Sequence, residues 1–283
     1  YDYLGFSTPL GNQNQLAVSL IRFGVDDIPD TRFLYDANGA LNYDNIQFFN
    51  AADYALLMSF GRDISDRLKV GANAKIIHRN VGKFAKAWGF GLDVGAIYRV
   101  KRLTLGAMVR DITTTYNAWS HNADEVRDIY AQTGNEVPLN TIELTLPRAI
   151  FGLAYDWNVG KTLSLLTSLD LETTFDGARN TLISTQTMSI DPRLGLEAGF
   201  KQKVFLRAGL SNFQQIKDFQ GNKSLDFLPS AGLGVMITEK VQIDYALSDL
   251  GDVSESPYSH IFSVKVRLEK LGDDVRKFKG WQE

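Results

Sequence analysis

The sequence predicts an all-β protein, a transmembrane antiparallel up-and-down β-barrel. Three observations carry this prediction: short and long connections alternate along the chain, apolar and polar residues alternate within the strands, and the polar positions are rich in glycine. Outer-membrane barrels have short periplasmic turns and longer extracellular loops, so the connections also predict a location in the cell outer membrane.

The connections follow a regular order from the first strand almost to the last. Tight turns are predicted near Gly11–Asn12, 64–66, Val100–Lys101, 158–160, Gln202 and Thr238–Glu239. Long connections separate them at 25–50, 113–144, 173–191 and 212–227. A barrel that carries its short turns on one rim and its long loops on the other would produce this order.

The strands themselves have one apolar face. In the clearest strand Trp88, Phe90, Leu92, Val94, Ala96 and Tyr98 alternate with Gly89, Gly91, Asp93, Gly95 and Arg99. Period-two alternation indicates a strand but does not say whether lipid or a protein core covers its apolar face. Small residues and scattered charges on the polar face suit a crowded lumen, and aromatic residues near strand ends suit interfacial girdles. Lipid contact is therefore favoured over the alternative, a large soluble all-β protein.

Thirteen strands are predicted, and barrels of this class close with an even number. They are 1–9, 15–24, 51–63, 68–79, 84–99, 102–112, 146–157, 162–173, 193–201, 204–212, 228–237, 241–248 and 259–268. We therefore expect a barrel of about 14 strands, with the first strand and any signal peptide preceding Tyr1. Residues 1–268 form the barrel, and 269–283 form a charged periplasmic tail or, alternatively, a docking peptide led by Phe278 and Trp281.

Composition excludes several classes of function. The chain has 283 residues with 30 basic and 33 acidic side chains, a balance that gives no tendency to bind nucleic acid. It has no cysteine, which removes disulfide frameworks and thiol catalysis.

Several segments resemble, in order along the chain, the PorV/PorQ family of FadL-like outer-membrane barrels. The opening YDYLGF at 1–6, followed by Pro9-Leu10-Gly11, resembles the second strand of that family. Further similar segments are DDIPDT at 26–31, LKVGANAK at 68–75, GFGLDVGAIYR at 89–99, LPR at 146–148, RLGLE at 193–197, LRAG at 206–209, GLG at 232–234 and IDYA at 243–246. The family pattern also includes an N-terminal hatch and a first strand, which are missing from this sequence.

The resemblance implies a non-enzymatic role in the type IX protein secretion system. The implied partners are outer-membrane lipid, a large translocon barrel with other secretion-system subunits, and secreted proteins that carry C-terminal sorting domains. Extracellular loops would bind them through exposed apolar residues: Ile28, Phe33, Leu34, Phe48, Phe49, Phe213 and Phe219. A FadL-like channel for hydrophobic small molecules and a structural role in an envelope complex remain alternatives.

Charged residues on the polar face bear on that choice. We expect a network of ion pairs across the lumen that involves Asp93, Arg99, Arg110, Asp156, Asp170, Glu197, Arg207, Asp244 and Lys265. A lumen plugged in this way favours a scaffold over a conduit, since a channel for hydrophobic molecules should have apolar pockets.

Catalytic and metal sites have little support in the sequence. The three histidines, His78, His121 and His260, lack partners at zinc-ligand spacing, so we expect no catalytic residue, no metal and no cofactor. Acidic residues at 26–30 and 218–226 match no EF-hand and suit hydrogen-bonded turns. The glycines of 89–91 and 232–234 fall mid-strand, without the helix that a nucleotide loop needs. Residues 120–137 form either a short helix over the barrel mouth or an irregular loop.

Overall fold

The computed structural model describes residues 1–134, 136, 140–160, 162–217, 220–221, 223–250 and 259–268. Within them lie sixteen antiparallel strands. The strands are β1 Asp2–Leu10, β2 Asn14–Asp30, β3 Gln47–Asp63, β4 Leu68–Val81, β5 Ala85–Val100, β6 Leu103–Arg110, β7 Thr115–His121, β8 Asn140–Thr145, β9 Arg148–Asn158, β10 Leu163–Thr174, β11 Ile183–Ser184, β12 Ser189–Phe200, β13 Val204–Lys217, β14 Lys223–Met236, β15 Val241–Ser248 and β16 Ser259–Val266. One α-helix, α1, spans Ala123–Thr133, and a short 3-10 helix spans Tyr43–Asn45.

The chain divides into two compact units. Unit 1 comprises Tyr1–Ala154 and Asp170–Pro192, and unit 2 comprises Tyr155–Leu169 and the described residues from Arg193 onward. In unit 1 the hydrogen-bonded order is β1-β2-β3-β4-β5-β6-β9-β10-β12; β7 pairs with β5 and β8, and β11 pairs with β12. In unit 2 the order is β9-β10-β12-β13-β14-β15-β16.

The thirteen predicted strands correspond to β1–β6, β9, β10 and β12–β16, so the all-β, up-and-down prediction is confirmed. The predicted long connections are shorter than expected. The segment 25–50 contains the ends of β2 and β3, and 212–227 is a hairpin in which β13 runs to Lys217 and β14 begins at Lys223. The segment 113–144 contains β7, α1 and β8. The helix reading of 120–137 is confirmed by α1, which ends at Gly134 in the left-handed conformation.

Tight turns occur where the sequence predicts them. At the β12–β13 connection Lys201 and Gln202 both have positive φ, 49° and 52°. Positive φ at both central residues is the requirement of a type I′ turn, whose twist matches that of the flanking strands. One connection departs from the predicted alternation, because β4 and β5 join through the three residues 82–84 at the end where long loops were expected.

The sheet in these units buries polar residues and exposes apolar ones. Among the described residues Ala87 is the only fully buried apolar residue, whereas ten polar or charged residues are buried. They are Asp30, Lys75, Asp93, Asp111, Thr115, Asn117, Glu172, Thr174, Ser189 and Asp249. In β5 the predicted alternation is visible directly, with Trp88 61% exposed and Asp93 3% exposed. A soluble sheet would bury the opposite face, so the exposed apolar face is the lipid-facing face of a membrane barrel.

The height of the apolar face fits a bilayer. From Trp88 to Tyr98 the chain advances ten residues, or about 33 Å at ~3.3 Å per residue. At the usual strand tilt this corresponds to an apolar band about 25 Å tall, the height typical of outer-membrane barrels. Tyr54, His78 and Trp88 form a row of neighbouring rings at one edge of this band, with the first pair stacked at 6.4 Å and the second tilted at 4.3 Å between centroids. Aromatic rings at such positions are typical of the interfacial girdles where strands leave the lipid.

Candidate functional site

A groove of about 350 Å³ lies in unit 1 where four strands meet near their loop ends. Its lining residues are Val81, Ala85, Trp119, His121, Thr141, Ile142 and Glu143. The register of the sheet brings them together, because Ala85 pairs with His121 and Trp119 pairs with Thr141 across neighbouring strands. Trp119 and His121 alternate along β7 and therefore share one face, with ring centroids 6.3 Å apart.

One arginine fixes the polar side of the groove. Arg79 donates from Nε to Asp53 Oδ1 at 3.0 Å and from Nη1 to both oxygens of Glu143 at 2.9 and 3.2 Å. Trp119 Nε1 donates to the same Glu143 carboxylate at 2.8 Å, and the Arg79 guanidinium lies 5.0 Å from the Trp119 ring centroid. These contacts hold the indole in one orientation against the groove.

A buried charge cluster lies on the same face, further along the strands. Lys75 Nζ contacts Asp93 Oδ1 at 2.7 Å and Asp111 Oδ1 at 2.5 Å, and all three side chains are at least 90% buried. Thr115 donates its hydroxyl to Asp111 at 2.5 Å. Lys75 crosses β5 at Gly91, its register partner, where a Cβ atom would lie 2.6 Å from Lys75 Cε. Glycine at this position therefore makes room for the lysine side chain.

The cluster stabilises a break in the strands. Residues 111–114 separate β6 from β7, and residues 146–147 separate β8 from β9. Asp111 and Thr114 have positive φ there, 55° and 58°. The Asp111 backbone N–H leaves the ladder and donates to Asp93 Oδ1 at 2.9 Å. The Asp93 carboxylate that binds Lys75 thus also accepts a hydrogen bond from the irregular backbone, and the Asp111 carboxylate accepts one from the Thr115 hydroxyl.

Helix α1 is fastened to the loops beside it. Arg32 forms an ion pair with Asp30 at 2.7 Å and with Glu125 at 3.3 Å, and it also donates to the Glu125 backbone carbonyl. Lys83 adds a contact to Glu125 at 3.0 Å. The Arg32 guanidinium lowers the pKa of the Asp30 carboxyl below its usual value. These contacts hold the start of α1 against the β2–β3 connection and the β4–β5 turn.

Unit 2 has its own charge cluster. Arg207 donates from Nε to Glu197 at 2.6 Å and from Nη1 to Asp244 at 2.6 Å. Glu197 is its register partner on β12, whereas Asp244 lies two strands away on β15. The guanidinium reaches Asp244 across β14, where the crossing position is Gly234.

The other predicted lumen charges have varied surroundings. Asp93 joins Lys75, and the Asp170 carboxylate lies over Gly152, since a Cβ there would come within 2.6 Å of its Oδ1. Arg99 donates to Thr104 at 3.4 Å. The remaining positions are Arg110 at the end of β6, Asp156 in β9, and Lys265, which pairs in register with Gln242. The plugging role assigned to these charges stays a prediction.

The predicted partner-binding residues do not form one loop surface. Ile28 lies in β2, Phe48 and Phe49 lie in β3, and Phe213 lies in β13, so their assignment to loops was wrong. The β2–β3 pairing continues through the predicted loop, with Ile28 opposite Phe49, because β-branched and aromatic residues favour paired strands. Phe33 and Leu34 lie in the β2–β3 connection as predicted, and Phe219 lies outside the described residues.

Two of the aromatic residues are packed rather than free for a partner. Phe49 meets Phe84 edge to face at 4.9 Å, and Phe213 meets Phe227 at 5.9 Å. Phe33 and Phe48 keep 47% and 63% of their surface exposed. The predicted C-terminal tail, 269–283, also lies outside the described residues.

Sequence reasoning missed the groove residues Trp119, His121 and Glu143. It treated them as parts of a long loop, whereas Trp119 and His121 lie in β7 and Glu143 lies in β8. A usable signal was present in the alternation Thr115, Asn117, Trp119, His121 on one face of a seven-residue segment. Lys75 was also missed, although it occupies the polar phase of β4.

The histidines have distinct environments. His78 stacks on Trp88 on the exposed face, His121 lines the groove, and His260 lies 2.9 Å from the Tyr245 hydroxyl. The part of the chain that the structure describes contains no cluster of three His, Cys, Asp or Glu side chains suited to a metal ion. The described portion has no helix long and apolar enough to cross a membrane.

Comparison with known proteins identifies the fold. No family model and no curated protein matches the sequence. Among solved structures the chain is similar to the toluene transporter TbuX of Ralstonia pickettii, with 13% identity, a TM-score of 0.52, and coverage of 94% of this chain and 81% of TbuX. It is similar to the toluene transporter TodX of Pseudomonas putida, with 13% identity, a TM-score of 0.54, and coverage of 87% and 76%. The monoaromatic hydrocarbon channel CymD gives 10% identity, a TM-score of 0.51, and coverage of 87% and 76%.

The fold is that of the FadL-like outer-membrane barrels. The predicted fold class is therefore confirmed, and so, at the level of the fold, is the predicted outer-membrane location. These similar proteins are described as transporters and a channel. None of them bears on the narrower PorV/PorQ resemblance.

Proposed function

We propose that this protein is a non-enzymatic channel that carries small hydrophobic molecules through the outer membrane. The fold it shares with toluene transporters and a monoaromatic hydrocarbon channel supports this role over a purely structural one. The observation that carries the proposal is the groove beside Trp119, because it offers an aromatic surface on the polar face of the sheet. Apolar surface with a few fixed polar groups is what a small-molecule site requires.

The groove is well placed to receive molecules from outside the cell. It lies at the loop ends of β4, β5, β7 and β8, the rim that is extracellular in barrels with short periplasmic turns. Helix α1 follows directly after His121 and is tied down by Arg32. Molecules that reach this rim would therefore meet the indole of Trp119 beside an anchored helix.

A route out of the barrel wall would lie in unit 1, where two neighbouring strands are interrupted. The β6–β7 and β8–β9 breaks interrupt two adjacent strands at neighbouring positions, since Thr115 and Thr145 are register partners just beyond them. Ladder hydrogen bonds are what closes a barrel wall, so a break in two neighbouring strands is where the wall is easiest to pass. The buried Lys75 cluster keeps this break stable and polar on one side.

The charges of the polar face do not oppose this function. Lys75 is paired with two carboxylates and Arg207 with two more, so positive and negative groups partly cancel within each cluster. An uncharged hydrocarbon has no charge to be repelled and needs only space and apolar contact. The sequence argument that a charged lumen favours a scaffold over a conduit is thereby weakened.

Uptake of radiolabelled toluene by cells that express the full-length protein tests the proposal. We expect cells with the channel to take up toluene faster than cells without it, and Trp119→Ala to lower the initial rate by roughly fivefold through lost aromatic contact. Trp88→Ala is the matched control, because Trp88 is on the exposed apolar face and should leave the rate nearly unchanged. Equal rates in cells with and without the protein would exclude channel function.

A role in type IX secretion is a second candidate. Its support is the exposed apolar surface at the loop end of the β2–β3 hairpin, where Phe33 and Phe48 are 47% and 63% exposed. Gentle extraction of the tagged full-length protein should then co-purify a large translocon barrel or secreted proteins with C-terminal sorting domains. The double variant Phe33→Ser, Phe48→Ser should lose them. Recovery of the protein without any such partner would argue against this role.

A further inference from the structure

The groove contains polar groups that a plain hydrocarbon could not use. Glu143 faces it with a carboxylate that already accepts from Arg79 and Trp119, and His121 faces it with an imidazole. Val81 and Ala85 supply the apolar part of the lining beside the Trp119 indole. One wall of the groove is therefore apolar and aromatic, whereas the other has hydrogen-bonding atoms.

His121 has an unused hydrogen-bonding atom. Its Nδ1 is shielded from water, and no partner for it exists among the residues that the structure describes. Buried polar atoms are nearly always hydrogen-bonded, so an unpaired one beside a groove is a candidate for pairing with a ligand. A neutral imidazole has one donor and one acceptor nitrogen and can therefore bond a hydroxyl group in either direction. Because Nδ1 is shielded in this conformation, a ligand hydroxyl would bond it only after the imidazole ring rotates toward the groove.

The charges around the groove disfavour an acidic ligand. Asp53 and Glu143 place two carboxylates around the single guanidinium of Arg79, which leaves the group one negative charge in excess. Arg79 is bonded to both of these carboxylates, which already compete for its guanidinium. A ligand carboxylate would have to displace one of them and would be repelled by the other.

We propose that the groove binds small uncharged aromatic molecules that carry a hydroxyl group. The aromatic ring lies against Trp119, Val81 and Ala85, and the hydroxyl bonds the His121 imidazole. This inference rests on the proposed channel function and narrows it: phenol-like molecules are bound in preference to the corresponding hydrocarbons and carboxylates. A site built to hydrogen-bond a hydroxyl discriminates against the analogue that lacks it, because its polar atom is then left unpaired.

Three probes of one shape test the preference: 4-methylphenol, toluene and 4-methylbenzoate. Their affinities are measured by calorimetry with the full-length protein in lipid nanodiscs at pH 8, with empty nanodiscs subtracted. We expect 4-methylphenol to bind on the order of tenfold more tightly than toluene, because one additional hydrogen bond changes an affinity by about this factor. We expect 4-methylbenzoate to bind most weakly, because its carboxylate is repelled by Asp53 and Glu143. His121→Phe keeps a flat ring but removes the imidazole nitrogens. The ratio of the affinity for 4-methylphenol to that for toluene should then fall to about one, while toluene still binds.

Two further variants locate the site. Trp119→Ala should weaken 4-methylphenol and toluene together, whereas His260→Phe, a histidine outside unit 1, should change neither. An unchanged ratio in His121→Phe, or unchanged affinities in Trp119→Ala, would overturn the inference. If cells still take up toluene while His121→Phe leaves the ratio unchanged, the inference fails and the channel function stands. If the ratio behaves as expected but no toluene enters cells, the groove binds phenols and the channel function fails.

Discussion

Gly234 on β14 provides a sharp test of how this sheet accommodates charge. A Cβ at this position would lie 2.5 Å from Asp244 Oδ1 and 3.1 and 3.3 Å from the Arg207 terminal nitrogens. The first distance is too short for a stable contact, so the Asp244 carboxylate has to shift in Gly234→Ala, and we expect this shift to weaken its contact with Arg207. The Glu197 contact on the other side of Arg207 does not cross β14 and should persist.

The magnitude follows from the exposure of the three side chains. Loss of a charge-assisted hydrogen bond costs ~1.5–3 kcal/mol, and the 35% exposure of the Arg207 side chain places this contact in the lower part of the range. Alanine in a strand interior recovers about 0.5–1 kcal/mol relative to glycine. We therefore expect Gly234→Ala to lower the free energy of unfolding by about 0.5–1.5 kcal/mol.

The matched control is Gly61→Ala in β3. The nearest atom to a Cβ there is the Val70 carbonyl oxygen at 3.9 Å, and the backbone has no positive φ. This variant should be unchanged or more stable by up to about 1 kcal/mol. Urea titration of the protein in lipid vesicles, followed by circular dichroism and by gel mobility, measures both variants. Wild-type stability in Gly234→Ala, or an equal loss in Gly61→Ala, would refute the argument that glycine makes room for the ion pair.

Two other predictions concern the charges of unit 1. Lys75→Met leaves two buried carboxylates without their cation and should destabilise the protein by about 3–5 kcal/mol in the same urea titration. The control Lys69→Met breaks an exposed ion pair and should cost less than about 1 kcal/mol. Similar losses of stability in both variants would contradict the conclusion that the Lys75 ion pairs are buried. The pKa of Asp30 is lower in the folded protein than in the unfolded chain, where it is near ~4. The ion pair with Arg32 therefore stabilises the fold fully above that unfolded-state pKa, and this stabilisation is lost as the pH falls through the lower pKa of the folded state. Limited proteolysis of α1 should therefore increase in acid, and Arg32→Gln should increase it at neutral pH; cleavage that is unaffected by Arg32→Gln would show that Arg32 does not anchor the helix.

The sequence predicts the strands well because their signal is local. In β5 the apolar residues Trp88, Phe90 and Val94 are exposed and Asp93 between them is buried, so exposure follows side-chain polarity there, whereas the alternation is lost toward Arg99. The turn at Lys201–Gln202 is short and flanked by clear strands, so its position is also readable. Predictions near the extracellular rim were weaker. Ile28, Phe48 and Phe213 were assigned to loops because the alternation there is less regular, for example at the bulge between Val25 and Ile28.

The candidate site was less predictable because it depends on contacts between distant residues. Arg79 and Glu143 are 64 positions apart, and their ion pair exists only because β4, β5, β7 and β8 are neighbours in unit 1. No local pattern marks Trp119 as the residue held between them. The face of β7 on which it lies could be inferred, but its partners could not.

By itself, the sequence determined that the chain forms antiparallel strands with one apolar face. Successive side chains of a strand point to opposite faces, so the polarity of each residue shows which face it occupies. It also determined the short-turn end, since tight turns have local signatures. Only the tertiary structure decided which charges meet, such as Lys75 with Asp111 and Arg207 with Asp244. Cross-strand register fixes those encounters, and register is a property of paired strands that no single strand contains.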